Sequence, residues 1–218
     1  MQKNFPCVLR YFGSTVNGLG FYDSDIDLYL EVPKDQKRRR NGLLYRTRAI
    51  LSESLLSKFY DMMVIGAAKC PIVKVTNKST KVKLLEFDIN ATHSIGVFNS
   101  MVLSYLVNAD CRLRQLFAIV KFWAKLNDLI DVGIFRSYTF ALLVIFFLQD
   151  GEVSYIKPLD SLYEYSQDFH ESVLPDFENE LKPKCLDLLA NMDQIPSTLT
   201  LIHQFFAYVF ALSKLNIF

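Results

Sequence analysis

The feature that most limits how this chain can fold is Gly13-Ser14, separated by ten residues from Asp25-Ile26-Asp27. Phe12-Gly13-Ser14 closes an apolar stretch and opens a glycine-punctuated turn, Thr15 to Gly20. The chain then re-enters as Asp25-Ile26-Asp27-Leu28-Tyr29-Leu30, whose alternation predicts a strand. Side chains along a strand point to opposite faces, so Asp25 and Asp27 share one face while Ile26, Leu28 and Leu30 share the other. Two carboxylates side by side on an otherwise apolar strand are costly unless something cationic sits between them. A hard divalent cation meets that need, and the backbone amides of Gly13 and Ser14 could hold a phosphate against it. A DxD alone is commonly a solvated edge, so the pattern gains force from a further carboxylate. Asp88, in Leu85-Glu86-Phe87-Asp88-Ile89, projects from the polar face of a strand as Asp27 does. Glu86 lies on that same face and competes with it for the role.

These residues carry a family resemblance. Phe-Gly-Ser-Thr-Val-Asn-Gly-Leu-Gly at 12–20, Ser-Asp-Ile-Asp-Leu at 24–28, Pro-Ile-Val-Lys-Val at 71–75 and Phe-Asp-Ile at 87–89 form its first part. Gly-Val-Phe-Asn-Ser at 96–100, Lys-Phe-Trp-Ala-Lys at 121–125 and Ser-Tyr-Thr-Phe at 137–140 continue it in the same order. The sequence resembles the DNA polymerase β-like nucleotidyltransferases, and more closely their non-canonical poly(A) polymerase and terminal uridylyltransferase branch. After Leu148 the match is loose.

The resemblance implies an α+β fold: a nucleotidyltransferase palm with a mixed sheet at 1–95, then a helical PAP-associated central domain at 96–218, with the active site in the cleft between them. The residue pattern agrees in outline. Strands are predicted at 7–12, 25–32, 61–66, 71–77 and 83–91, where β-branched and aromatic residues gather. Apolar residues at three-to-four spacing predict a helix over 41–60. From about 96 the chain reads as helical, with segments at 96–108, 110–127 and 137–149 and weaker ones near 158–166, 176–191 and 198–215. Asp110 and Ser137 are candidate N-caps. The most apolar run, Tyr138 to Leu148, is eleven residues long. A membrane span needs roughly twenty, so it reads as a buried core helix, and no membrane partner is expected.

In the family, nucleotidyl transfer uses two divalent ions, magnesium or manganese. By resemblance Asp25, Asp27 and Asp88 are the metal ligands and catalytic carboxylates, and Asp88 also serves the attacking 3′-hydroxyl. Gly13 and Ser14 are expected near the nucleotide phosphates. Lys121 and Lys125, one turn apart on a helix, would be an ordinary solvated pair on spacing alone; the resemblance assigns them to the triphosphate. Ser137 opens a helix whose N-terminus suits a phosphate. Tyr138 is expected to stack on the base, a reading preferred to that of a packed aromatic, and Asn99 is expected near the ribose and base. Trp123 reads as a core anchor.

The expected partners are therefore an RNA 3′ end and a nucleoside triphosphate; the sequence identifies no protein partner. Net charge is +1, so no global field advertises nucleic acid, and any RNA contact must be a local patch. The basic run Lys34 to Arg40 could be such a patch, an import signal or a solvated connection. Four scattered cysteines without a CxxC pair fit reduced thiols in an intracellular, cytoplasmic protein. Of the two nucleotides, UTP is the expectation, because Leu142 to Gln149 looks more like the uridylyltransferases; a poly(A) polymerase using ATP is the alternative. Relatives carry further helices at both ends, including the loop that reads the base edge. The chain is thus expected to be a fragment or a shortened paralogue, the latter leaving open an inactive RNA-binding or scaffold role.

Overall fold

The computed structural model describes residues 7–33, 40–79, 85–92, 94–130, 135–150, 154–159, 162, 174–189 and 191–214. The first part alternates strands and helices: β1 Val8–Phe12, α1 Ser14–Asn17, β2 Ile26–Glu31, α2 Arg40–Ser52, β3 Tyr60–Ile65, β4 Ile72–Asn77 and β5 Phe87–Asn90. Helices follow: α3 Ile95–Ala109, α4 Cys111–Leu126, α5 Ser137–Gln149, α6 Leu174–Asp187 and α7 Thr198–Lys214. The fold is α+β.

The strands form one sheet in the order β1-β2-β5-β4-β3, with only the β2–β5 pair parallel. One face of this mixed sheet is apolar. Leu28 and Leu30 of β2, Val73 and Val75 of β4, and Ile89 of β5 turn inward against Leu43 and Leu44 of α2. Because the side-chain period is two, this burial forces Asp27, Lys74 and Asp88 onto the opposite face. The strand begins at Ile26, so Asp25 sits just before β2 rather than within it.

The helix expected over 41–60 stops early, at Ser52. Ser54 takes over locally: its hydroxyl donates to the Leu51 carbonyl at 2.6 Å and accepts from the Leu56 amide at 3.2 Å. That capping converts Leu55–Lys58 into a 3₁₀ turn, and Tyr60 already belongs to β3. Serine competes with the helical ladder in this way, and apolar spacing alone does not register it.

The described residues divide into two compact units, one ending at Met101 and the other beginning at Val102, so that the division falls inside α3. In the second unit α4 buries Leu113, Leu116, Phe117, Val120 and Ala124, and α5 buries Phe140, Val144, Ile145 and Leu148. Phe205 of α7 meets Phe147 edge-on at 5.6 Å between ring centres, and Trp123 meets Phe206 at 5.0 Å. Edge-to-face pairs of this kind add to simple area burial. Asp110 caps α4, accepting from the Arg112 amide at 2.7 Å. Ser137 is the first residue of α5, not its cap; that position belongs to Arg136, whose side chain makes no capping hydrogen bond. Among the described residues no helix is long and apolar enough to cross a membrane. The basic run falls on 34–39, outside the described residues apart from the backbone of Arg40, and so does most of the segment near 158–166.

Candidate active site

Strand register lines up the acidic face. Asp27 stands directly opposite Asp88 across the parallel β2–β5 pair, and Asp88 stands opposite Lys74 across the antiparallel β5–β4 pair. Three neighbouring strands thus present carboxylate, carboxylate and ammonium in one row. Asp25 reaches the same place from the end of the preceding loop: Lys74 Nζ lies 3.5 Å from Asp25 Oδ2 and 3.7 Å from Asp88 Oδ1.

The glycine-serine turn is built around Asp27. Gly13 has φ +69°, a conformation that side-chain-bearing residues rarely adopt, and a Cβ there would lie 1.9 Å from Asp27 Oδ2. Glycine is therefore required twice over, by backbone and by space. Its amide donates to Ser100 Oγ at 2.7 Å, and that hydroxyl donates onward to the Gly96 carbonyl at 2.6 Å. The Gly13 amide is thus used in tying the turn to α3. Ser14, half-buried, is the first residue of α1.

Electrostatics single out Asp88. Burial pushes its carboxyl above the ordinary aspartate value; Lys74 pulls it back, and Asp25 and Glu86 push it up again. Its Oδ1 is buried and has no hydrogen bond, since the ammonium stands at ion-pair distance and no closer. Burial pulls the Lys74 ammonium down, but Asp88, Asp25 and Glu86 outweigh that and leave it above the usual lysine value. Glu86, the competing candidate, has other work: its Oε1 accepts from the Asn77 amide at 3.1 Å.

A hard divalent cation suits this donor set. The ligands are carboxylate oxygens, one of them an orphaned buried acceptor, and a positive charge is already drawn between two of them. As the side chains stand, no three histidine, cysteine or carboxylate groups among the described residues converge as a metal-holding cluster. Lys74 occupies the middle ground that such a cluster would need.

The remaining expected residues divide between the units. Asn99 lies on α3 in the first unit, half-buried, one residue before Ser100. Lys121, Lys125, Ser137 and Tyr138 lie in the second unit. Lys121 is buried and Lys125 half-buried, one turn apart on α4. Tyr138 is 39% exposed, and burial raises its hydroxyl above the ordinary tyrosine value.

Sequence reasoning gave no role to Lys74 or Ser100. The signal for Lys74 was present in Val73-Lys74-Val75: two core valines oblige the lysine between them to face the acidic side. Ser100 carried no comparable signal, because its partner lies 87 residues away in sequence.

Comparison with known proteins gives this geometry a context. Residues 1–108 match the family model described as "Poly(A) RNA polymerase, mitochondrial-like, central palm domain". The chain is 33% identical over 157 residues to Poly(A) RNA polymerase gld-2 of Caenorhabditis elegans, covering 71% of this chain and 14% of that protein. It is 30% identical over 152 residues to Poly(A) RNA polymerase GLD2 of Danio rerio, covering 68% of this chain and 30% of that one. The chain therefore spans less than a third of either relative. Among solved structures, it superposes on the non-canonical poly(A) polymerase complex GLD-2–GLD-3 with a TM-score of 0.73 at 28% identity, covering 95% of this chain and 64% of that one. The mtPAP structure in complex with UTP has a TM-score of 0.71 at 21% identity, a likeness of fold, and the chain covers 47% of it.

Proposed function

Because this chain belongs to the non-canonical poly(A) polymerase and terminal uridylyltransferase family of the DNA polymerase β-like nucleotidyltransferases, we propose that it extends RNA 3′ ends without a template, using a nucleoside triphosphate. The observation that carries this reading is the row of Asp27 and Asp88 across β2 and β5, with Gly13 held beneath Asp27 and Asp25 beside them.

In the reaction the RNA 3′-oxygen attacks the α-phosphorus, the bond to the β-phosphate breaks, and pyrophosphate leaves with the electron pair. Magnesium or manganese held by Asp25, Asp27 and Asp88 would supply the acidity of the hydroxyl and the neutralisation of the leaving group. The family resemblance also assigns Asp88 to accept the hydroxyl proton. Ser14 and Ser137 offer hydroxyls, and Lys121 and Lys125 offer positive charge, to the phosphates. Asn99 is assigned to the ribose and base, and Tyr138 to the face of the base.

For the nucleotide, ATP is the better-supported choice, since both relatives at 30% identity or more described above are named as poly(A) RNA polymerases. The uridylyl expectation rested on Leu142 to Gln149. That segment is the body of α5, and Val144, Ile145, Phe147 and Leu148 are spent on the core. Incubation with a short single-stranded RNA, manganese or magnesium, and each nucleoside triphosphate separately tests the proposal. Extension is expected, with a modest preference for ATP. Exclusive use of UTP would restore the uridylyltransferase reading. No extension by protein shown to be folded would overturn catalysis in favour of a binding role.

A further inference from the structure

We infer that Lys74 is the resident counter-ion of the carboxylate site: a positioning residue that holds Asp25 and Asp88 together in the metal-free protein and must be displaced before a divalent cation settles between them. The inference rests on reading the site as a metal centre.

The sheet leaves Lys74 no other direction. Val73 and Val75 are 0% and 3% exposed in the core beneath the sheet, so the residue between them rises from the acidic face. Register sets it opposite Asp88. The four-carbon stem anchors a compact ammonium that can swing without moving the strand. Its contacts are those of a provisional occupant: 3.5 Å to Asp25, 3.7 Å to Asp88, and Asp88 Oδ1 still without a hydrogen bond. A divalent cation binds carboxylate oxygens far more closely, at about 2.0–2.6 Å, and brings twice the charge. It would satisfy the orphaned acceptor that the ammonium leaves open.

Removing the ammonium should then have two effects of opposite sign. The metal-free protein loses the charge that offsets the repulsion between the two carboxylates and melts lower. The metal loses its competitor and binds more tightly. A lysine of merely structural value would produce the first effect alone. A lysine reserved for substrate phosphate would produce no gain in metal affinity.

The test uses the full chain and Mn²⁺ alone, followed by electron paramagnetic resonance of the free ion, with thermal melts in its presence and absence. Lys74→Met keeps length and removes charge, and Lys74→Arg keeps charge. Lys74→Met is expected to bind Mn²⁺ at least about fivefold more tightly than wild type, the lower bound for one unit charge at ~4 Å. It should also melt lower without metal, whereas Lys74→Arg should follow wild type in both measurements. Equal or weaker Mn²⁺ binding by Lys74→Met overturns the inference while leaving the metal centre standing. If neither wild type nor Lys74→Met binds Mn²⁺, the metal reading falls and this inference with it. Should Lys74→Met fail to fold, the wild-type protein decides. The Lys74 ¹⁵Nζ resonance, assigned by its loss in Lys74→Arg, must shift on adding Mg²⁺, and an unmoved resonance overturns the inference.

Discussion

At Gly13 one hydrogen atom stands where any side chain would meet the Asp27 carboxylate, and the backbone angle excludes most other residues as well. Gly13→Ala is therefore expected to abolish nucleotide addition and to cost more than about 1 kcal/mol of stability, because alanine is forced into a positive φ. Urea denaturation alongside the extension assay measures both. Asp27→Asn and Asp88→Asn should leave a folded protein without activity. Glu86→Gln should retain most of it, since a glutamine oxygen can still accept from the Asn77 amide. Activity surviving Asp88→Asn but not Glu86→Gln would exchange the two assignments. The aspartates were legible in sequence because a carboxylate within an apolar alternation is an anomaly that demands a cause. Lys74 was legible only in part: Val73 and Val75 set the face it takes, but its partners depend on the β4–β5 register, which no local spacing encodes. Ser100 was hidden, since only the fold brings it to Gly13.

Among the elements, α4 has the most definite beginning. Asp110 accepts from the Arg112 amide, and the Arg112 guanidinium closes back on the same carboxylate while donating to the carbonyls of Ile195 and Met192. One residue thus caps α4 and, through Arg112, ties it to the segment leading into α7. Asp110→Ala is expected to cost about 1 kcal/mol, the usual worth of such a cap. Hydrogen bonding from the Arg112 side chain holds the Asp110 carboxyl below the usual aspartate value. A carboxyl depressed in the folded state stabilises fully above its unfolded value, and that contribution fades as pH falls through the folded one. Wild type should accordingly lose stability relative to Asp110→Ala below about pH 4, so that the two melting curves converge in acid. Parallel curves across that range would refute the cap's electrostatic part. This start was readable from Asp110 followed by an apolar period. The end of α2 was not, because Ser54 stops the helix through a side-chain hydrogen bond that the leucine spacing ignores.

Across the whole molecule, the apolar pattern was enough to predict strands followed by helices, because each element's period states which face must be buried, while the mixed character of the sheet was legible only through the family resemblance. The pattern says nothing about which base the protein prefers, and the reason is chemical. Discriminating adenine from uracil needs buried donors and acceptors that a wrong base would leave unpaired. Asn99 apart, whose amide has a donor and an acceptor, the residues assigned to the nucleotide are of another kind. Lys121 and Lys125 carry charge for phosphates common to all four nucleotides, Ser14 and Ser137 carry hydroxyls, and Tyr138 offers a ring that any base can stack upon. Two consequences can be separated by experiment. Lys121→Ala and Lys125→Ala should raise the KM of every nucleoside triphosphate by similar factors while leaving RNA affinity unchanged; a fall in RNA affinity instead would move these lysines to the primer path. Tyr138→Ala should weaken ATP and UTP alike, by about 1–3 kcal/mol each, so that their ratio of kcat/KM hardly moves. If that ratio changes tenfold, Tyr138 reads the base edge through its neutral hydroxyl, and the residue assigned to stacking becomes the source of nucleotide choice.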